Sequence, residues 1–288
     1  MIEGMYAAIS GLQANQTMLD VTANNLANLN TAGYKSESVD FANSLSQIYR
    51  GASASTPTLG GTNPIAVGVG VSVAGVDTDE SVGTLQSTGN PLDIAIEGPG
   101  YLQVGDAAAG SVPSPVDYTR AGNLTINSAG YLTTQSGQYV VGVGATGTGT
   151  GASETYAPNT TPVALAVPTT ASNVAIGDDG SVTYTSASTG YTVTAGYIQL
   201  ATFPNDQGLQ SIGDNLYTSS PNSGTAILGQ PGTTGFGQTV SGEIESSNVD
   251  LATEFTNMIT AQRGYQANAQ VITTANQMLQ TLEQITTA

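Results

Sequence analysis

The chain has no cysteine, no histidine and no tryptophan. Without Cys and His it lacks thiolate and imidazole nucleophiles, the commonest general base, and the usual zinc and copper ligands, so no cofactor is expected. Missing cysteine also rules out a disulfide and leaves the redox compartment open. Cations are scarce: four Lys+Arg stand against 21 Asp+Glu, a net charge of −17. Nucleic acid and anionic membranes both demand a basic patch, which excludes them as partners. No apolar run of about 18 residues occurs, so no membrane insertion is expected. Met1-Ile2-Glu3-Gly4-Met5-Tyr6 has neither a basic n-region nor an apolar core, which predicts no cleaved secretory signal. Only 9% of residues are charged, leaving the surface to Ser, Thr, Asn, Gln and Gly. Such a surface suits packing against copies of itself, because few charges need desolvating on contact.

What is present is organised around the two ends. Residues 248–288 contain no proline and one glycine, Gly264. Asn248 is placed as an N-cap, with Asp250 in the first turn. One stripe runs Leu251, Phe255, Met258, Gln262, Tyr265, Ala269, Ile272; a second runs Val271, Ala275, Met278, Leu282, Ile285. Steps near 3.5 held this long are a coiled-coil pattern, and the helix would be about 55 Å long. Residues 2–30 repeat the period through Ile2, Met5, Ile9, Leu12, Gln16, Leu19, Ala23 and Leu26. Gly33 is placed to stop that helix.

Between the helices the pattern turns to β. Residues 34–62 read as an extended or partly helical connector with loop signals at Pro57 and Gly60-Gly61, anchored by Phe41, Leu45 and Ile48. Ile65, Val67, Val69, Val71 and Val73 alternate as in a strand. Leu92, Ile94 and Ile96, then Gly98-Pro99-Gly100, then Tyr101-Leu102-Gln103-Val104 predict two strands around a tight turn. Residues 123–132 and 173–182 form a weak repeat, each strand, glycine-bearing turn, strand. Residues 143–172, rich in Gly, Thr, Ala and Pro, predict a loop or loosely packed excursion. The expected architecture is α+β: helices over 1–33 and 245–288 paired as a coiled coil, a connector over 34–76, and a β-rich body over 77–244.

Catalytic constellations are few. Asp77, Asp79 and Glu80 have part of a calcium-loop spacing without its glycine or closing Glu. Asp93 and Glu97 on a strand would lie about 13 Å apart, too far for a glycosidase pair. Asp178-Asp179-Gly180 suits a hairpin turn. No glycine loop for phosphate is followed by a Lys. Arg263, midway along the last helix, is either a solvated helix-face residue or a charge-assisted contact to a carboxylate of another subunit. Nothing here predicts an enzyme.

Several runs carry a resemblance. Ala8-Ile9-Ser10-Gly11-Leu12-Gln13-Ala14-Asn15-Gln16-Thr17, Asn24-Asn25-Leu26-Ala27-Asn28 and Asn30-Thr31-Ala32-Gly33-Tyr34-Lys35 resemble the start of the bacterial flagellar rod and hook proteins. Ser247-Asn248-Val249-Asp250-Leu251 and Ala261-Gln262-Arg263-Gly264-Tyr265-Gln266-Ala267-Asn268 are similar to their ends. Internal marks agree: Gly89-Asn90-Pro91-Leu92-Asp93-Ile94, Tyr118-Thr119-Arg120-Ala121-Gly122-Asn123 and Gly213-Asp214-Asn215-Leu216-Tyr217. The resemblance implies an axial structural protein of the flagellum, exported by the flagellar export apparatus without a cleaved signal. It would polymerise with copies of itself into a tube and meet neighbouring axial proteins: rod, hook-filament junction and hook cap. The C-terminal wording is most similar to a hook protein, which implies a flexible joint passing torque from rod to filament. The distal rod is the alternative, and a secreted oligomeric β-rich adhesin or binding protein the alternative of another class. The assembly residues implied are the two terminal stripes, with Arg263 as a polar inter-subunit contact.

Overall fold

The 3.5-residue periodicity of both ends resolves into two helices, α1 over Ile2–Ala27 and α2 over Leu251–Thr287. The computed structural model describes residues 2–55, 60–106, 115–148, 155–187 and 190–287. Pro57, expected as a loop signal, lies outside them. By internal packing the chain divides into one unit of Met1–Ala27, Ser36–Asp79 and Val249–Ala288, and another of Asn28–Lys35 and Glu80–Asn248.

In the first unit α2 begins two residues later than the sequence suggests, because Asp250 rather than Asn248 caps it. Asp250 Oδ1 accepts from the Ala252 N–H at 3.1 Å, Oδ2 accepts from the Thr253 hydroxyl at 2.6 Å, and its carbonyl accepts from the Glu254 N–H. These bonds, Thr253 first, hold the Asp250 carboxyl below the usual carboxylate range. A charged cap at the positive end of a helix outcompetes an amide there. Asn248 instead donates to the Ser81 carbonyl at 3.2 Å in the second unit.

The expected connector is two antiparallel ribbons. β1 (Glu37–Asn43) pairs β4 (Val71–Thr78), and β2 (Ser46–Arg50) pairs β3 (Ile65–Gly68). Phe41, Leu45 and Ile48 do not anchor anything: they are 43%, 81% and 67% exposed. The β1–β4 ribbon rests on α1, through the Val71 N–H donating to Ser10 Oγ and through Asn25 on Glu37, but every residue of β2 and β3 is exposed, and a lone two-stranded ribbon is marginal in water.

The second unit is all-β and antiparallel. Its early strands are β5 (Leu85–Ser87), β6 (Ile94–Glu97), β7 (Tyr101–Gly105), β8 (Val116–Thr119), β9 (Leu124–Ile126) and β10 (Leu132–Thr134). Then come β11 (Tyr139–Thr148), β12 (Thr155–Ala164), β13 (Ser172–Ile176), β14 (Ser181–Thr185), β15 (Thr192–Ile198) and β16 (Leu200–Thr202). The last are β17 (Gln210–Gly213), β18 (Leu216–Thr218), β19 (Ile227–Gly229), β20 (Gln238–Ser241) and β21 (Glu243–Glu245). The main sheet runs β13-β14-β15-β11-β7-β8-β18-β17, while β20 pairs β6 and β21 pairs β5. The strands on either side of Gly98-Pro99-Gly100 therefore do not pair with each other. The two repeats are the hairpins β9–β10 and β13–β14, the latter turning at Gly180 with φ +75°. Residues 143–172 are not a loose excursion: β11 and β12 pair from Val141↔Ala164 to Thr148↔Thr155, and residues 149–154 lie outside those described. Small Gly and Thr side chains suit a twisted ribbon and do not by themselves make a loop. Ile94, Leu102, Val140, Leu165, Val182 and Ile198 form the heart of the core.

Gly122 is fixed by space, not by φ: a Cβ there would fall inside the Ile94 carbonyl. Gly122→Ala is expected to cost about 3 kcal/mol or more in urea unfolding. Gly144→Ala, whose Cβ would meet nothing nearer than Val163 at 4.0 Å, should be neutral or stabilising by less than about 1 kcal/mol.

Candidate assembly surface

The seam between α1 and α2 is made of small residues. Ala8, Gly11 and Ala14 are buried on α1, as are Ala261 and Ala275 on α2. Two glycines let the helices interlock. Asn268 lies over Gly11, where an added Cβ would stand 2.6 Å from its Nδ2. Asn15 lies over Gly264, where one would stand 2.5 Å from its Oδ1. Towards the C-terminal end of α1, Asn25 donates to Glu254 Oε1 at 3.0 Å and to the Glu37 carbonyl at 2.7 Å, and accepts from the Glu37 N–H at 3.0 Å. The three contacts keep one antiparallel register. Continued, it sets Ile2 opposite Gln277, so roughly the last ten residues of α2, about 15 Å, run past the start of α1.

Because small residues fill the seam, the large ones lie beside it. Gln262, Tyr265 and Ala269 of the stripe sit one position from Ala261, Gly264 and Asn268 of the seam. Phe255, Met278 and Leu282 are 47–49% exposed, and Leu251, Tyr265 and Ile9 are 40–41% exposed. Met5, Leu12, Leu19, Leu26, Met258 and Ile272 are partly buried; the side chain of Ile2 lies outside the described ones. Met278, Leu279, Leu282 and Ile285 all fall on the overhanging end of α2, where α1 offers nothing to cover them. Arg263 is exposed and makes no ion pair among the described residues. The helix pair thus leaves many large apolar side chains along α2 about half exposed, the kind of surface that marks an interaction site.

The second unit holds a buried ionic cluster that no catalytic or metal motif in the sequence marks. Lys35 Nζ donates to Glu245 Oε1 and to the Ser81 carbonyl, both at 2.7 Å. The Gly83 N–H donates to the same Oε1 at 2.9 Å, and Arg120 approaches Oε2 at 3.4 Å. Lys35 and Glu245 are each 1% exposed and Arg120 4%. Arg120 also donates to the Gly98 carbonyl at 3.0 Å and lies over the Tyr101 ring, 5.2 Å from its centroid. The Tyr101 hydroxyl donates to Glu80 Oε2 at 2.6 Å. Burial, then Arg120, lowers the Lys35 pKa. Burial raises those of Glu80 and Asp206, and burial followed by Glu80 raises that of Tyr101 so far that it stays a donor. Lys35, Glu245, Tyr101 and Glu80 are each held by a partner in the cluster, while Arg120 Nε and Asp206 Oδ1 are buried with no hydrogen bond among the described residues; the paired groups hold segments together. Asp93, the other buried carboxylate considered from sequence, accepts from Thr88 at 2.7 Å and Asn90 at 3.0 Å and shapes a turn. Three of the chain's four cations, Lys35, Arg120 and Arg263, stand inside the family-like motifs, and two of those three are the ones buried in the cluster.

Comparison with known proteins gives three family matches: "Flagella basal body rod protein" over residues 5–35, "Flagellar hook protein FlgE/F/G D1 domain" over 95–184, and "Flagellar basal body rod FlgEFG protein C-terminal" over 240–285. The chain is 43% identical over 285 residues to "Flagellar basal-body rod protein FlgG" of Bacillus subtilis (strain 168), covering 98% of both chains. It is 36% identical over 287 residues to the protein of that name from Caulobacter vibrioides, covering 99% of both. It is also 26% identical to "Flagellar hook protein FlgE" of Borreliella burgdorferi, over an alignment of 443 residues that covers 98% of this chain and 99% of the other.

Glu245→Gln leaves Lys35 and Arg120 without their shared counter-charge and should cost about 3–5 kcal/mol in urea unfolding. Glu80→Gln keeps an acceptor for Tyr101 and should cost less than about 1 kcal/mol at pH 7. Glu80 has a raised pKa, so its ionised form penalises the fold above that pKa and the penalty is relieved as pH falls through it. The Glu80→Gln variant should accordingly show a smaller gain in stability than the parent between pH 7 and pH 5.

Proposed function

The chain belongs to the flagellar basal-body rod and hook protein family, and we propose that within it this protein is a structural subunit of the distal rod, assembling with copies of itself into a tube. What carries the rod reading over the hook reading is length: the rod relatives align end to end with almost no length difference, whereas the hook relative needs an alignment more than half as long again. A hook subunit, the reading first suggested by the C-terminal motif, fits that pattern less well.

The physical support lies in the first unit. Its helices use small residues for each other and keep Leu251, Phe255, Tyr265, Met278 and Leu282 outside. Full burial of side chains of this size is worth about 1.5–3 kcal/mol each, a reserve that a monomer leaves unused and a polymer recovers. The flank takes neighbouring helices at the sides, and the overhang takes a further copy along the tube. Met5, Leu12, Leu19, Leu26, Met258 and Ile272 support the pair from its edges, and Arg263 meets a carboxylate of another copy. The division into terminal helices, a connector and an outer β body is part of the same proposal, as are contacts with adjoining axial proteins, delivery by the flagellar export apparatus, and a place in the flagellar basal body outside the cytoplasm.

Phe255→Asp or Leu282→Asp should abolish tubes in negative-stain electron micrographs while leaving the monomer's melting temperature within about 2 °C of the parent. Gly264→Leu should instead unfold the helix pair, seen as a loss of helical circular dichroism. Tubes from the parent chain should be straight; curved ones would return the assignment to the hook.

A further inference from the structure

Three runs far apart in the sequence, singled out above as motifs, converge in the second unit on one open groove of about 880 Å3. Asn30 and Thr31 line it from the first run, Thr119 and Asn123 from the second, and Asp214 and Asn215 from the third. Residues 134–136, the tip between β10 and β11, line it as well. Amides and hydroxyls share the lining with four apolar residues, Ala32, Ala121, Leu216 and Ile244; it carries one charge, Asp214, and no aromatic ring.

The groove is built rigidly. Asp214 and Asn215 have φ of +52° and +57°, the two-residue turn that joins β17 to β18. Asn215 Nδ2 donates to the Ala32 carbonyl at 2.9 Å, and the Thr119 hydroxyl donates to the Asn215 carbonyl at 2.8 Å. Gly33, at φ +71°, lets its segment close on Arg120 and Ala121, where a Cβ would stand 2.8 Å from backbone atoms. These contacts explain Asn215, Thr119 and Gly33 as internal fastenings. Asn30, Asn123, Gln135 and Asp214 direct no side-chain hydrogen bond to a described residue; Asn30, Gln135 and Asp214 are exposed and Asn123 is half-buried, so all four are available to a ligand in the groove.

We propose that this groove receives an extended, uncharged segment of a second copy of the chain. The proposal rests on the polymer reading above and specifies a contact outside the helices. Amides and hydroxyls supply donors and acceptors together, which is what an unpaired peptide backbone requires. A neutral glycan shares that chemistry but ordinarily stacks on an aromatic face, and none lines the groove. Charge points to a second copy. Subunits of net charge −17 repel one another, so close contact is cheapest where neither surface carries charge. Preformed walls also spare the entropy of ordering them on contact.

The test places the photo-crosslinker p-benzoylphenylalanine at Gln135 of the full chain and irradiates assembled tubes. A covalent dimer whose adduct maps to a neutral segment of a second copy is expected. Tubes that form but yield no dimer, or an adduct to glycan or another protein, overturn the groove proposal and leave the polymer reading standing. A parent chain that forms no tube overturns both. As a second measurement, Asn123→Glu should raise the critical concentration for assembly at least about tenfold, with the monomer's unfolding unchanged. Ser128→Glu, in the β9–β10 turn, should leave that concentration where it was. Equal effects from both would reduce the groove to general charge repulsion and sink the proposal.

Discussion

A single buried carboxylate, Glu245, ties together three separate segments of the second unit. Two of the chain's four cations converge on it, one at 2.7 Å and one at 3.4 Å. Desolvating three charges is costly, and a buried pair by itself is weak testimony to stability. Here the cost is offset by completeness: Oε1 takes both Lys35 and the Gly83 N–H, while the backbone carbonyl of Glu245 accepts from Gly33 at 2.8 Å. One residue thereby fastens residues 33–35, 81–83 and 120 to the end of β21. In sequence, Lys35 and Glu80 stand at points where the chain passes from one unit to the other, and Glu245 stands just before a third. Long-range closure of this kind is decisive for a unit whose first and last segments are some 200 residues apart.

The first unit follows a different rule. Its helices are joined by what they lack: two glycines and four buried alanines allow Asn15 and Asn268 to sit across the seam. A small-residue seam brings backbones close but buries little apolar area, so the pair is weaker than one packed through leucines. The same choice leaves the large residues of both stripes available to other chains. Marginal stability alone and apolar surface held in reserve are therefore two consequences of one packing decision.

The helices, the two repeat hairpins and the α+β class were legible because periodicity is a local property: 3.5-residue steps and a turn glycine need no knowledge of the rest of the chain. What each face meets was not legible. The stripe through Leu251, Phe255 and Tyr265 reads as a seam, yet the seam lies one residue away, at Ala261 and Gly264. Hydrophobic spacing identifies a face that wants burial and is silent on whether the chain's own helix or another provides it. The connector and the residues around 143–172 misled for a related reason, since Gly, Ser and Thr are equally at home in a loop and in a ribbon that forms by backbone pairing. The Glu245 cluster needed contacts across up to 210 residues, although burying cations in so acidic a chain is a fair reason to ask what Lys35 and Arg120 are for.

Acidity and assembly pull against each other, and the distribution of charge resolves the conflict. Lys35 and Arg120 are consumed inside the second unit, leaving Arg50 and Arg263 as the exposed cations against an excess of carboxylates. Salt bridges between copies can therefore contribute little to affinity. Attraction must come from apolar flanks and from uncharged polar surface, both short-ranged, while repulsion acts over a screening length of about 8 Å at physiological salt. Such a balance disfavours chance encounters at arbitrary orientations, because the repulsion is felt everywhere and the attraction only where flank meets flank. In the proposed assembly, a surface poor in cations is a source of specificity.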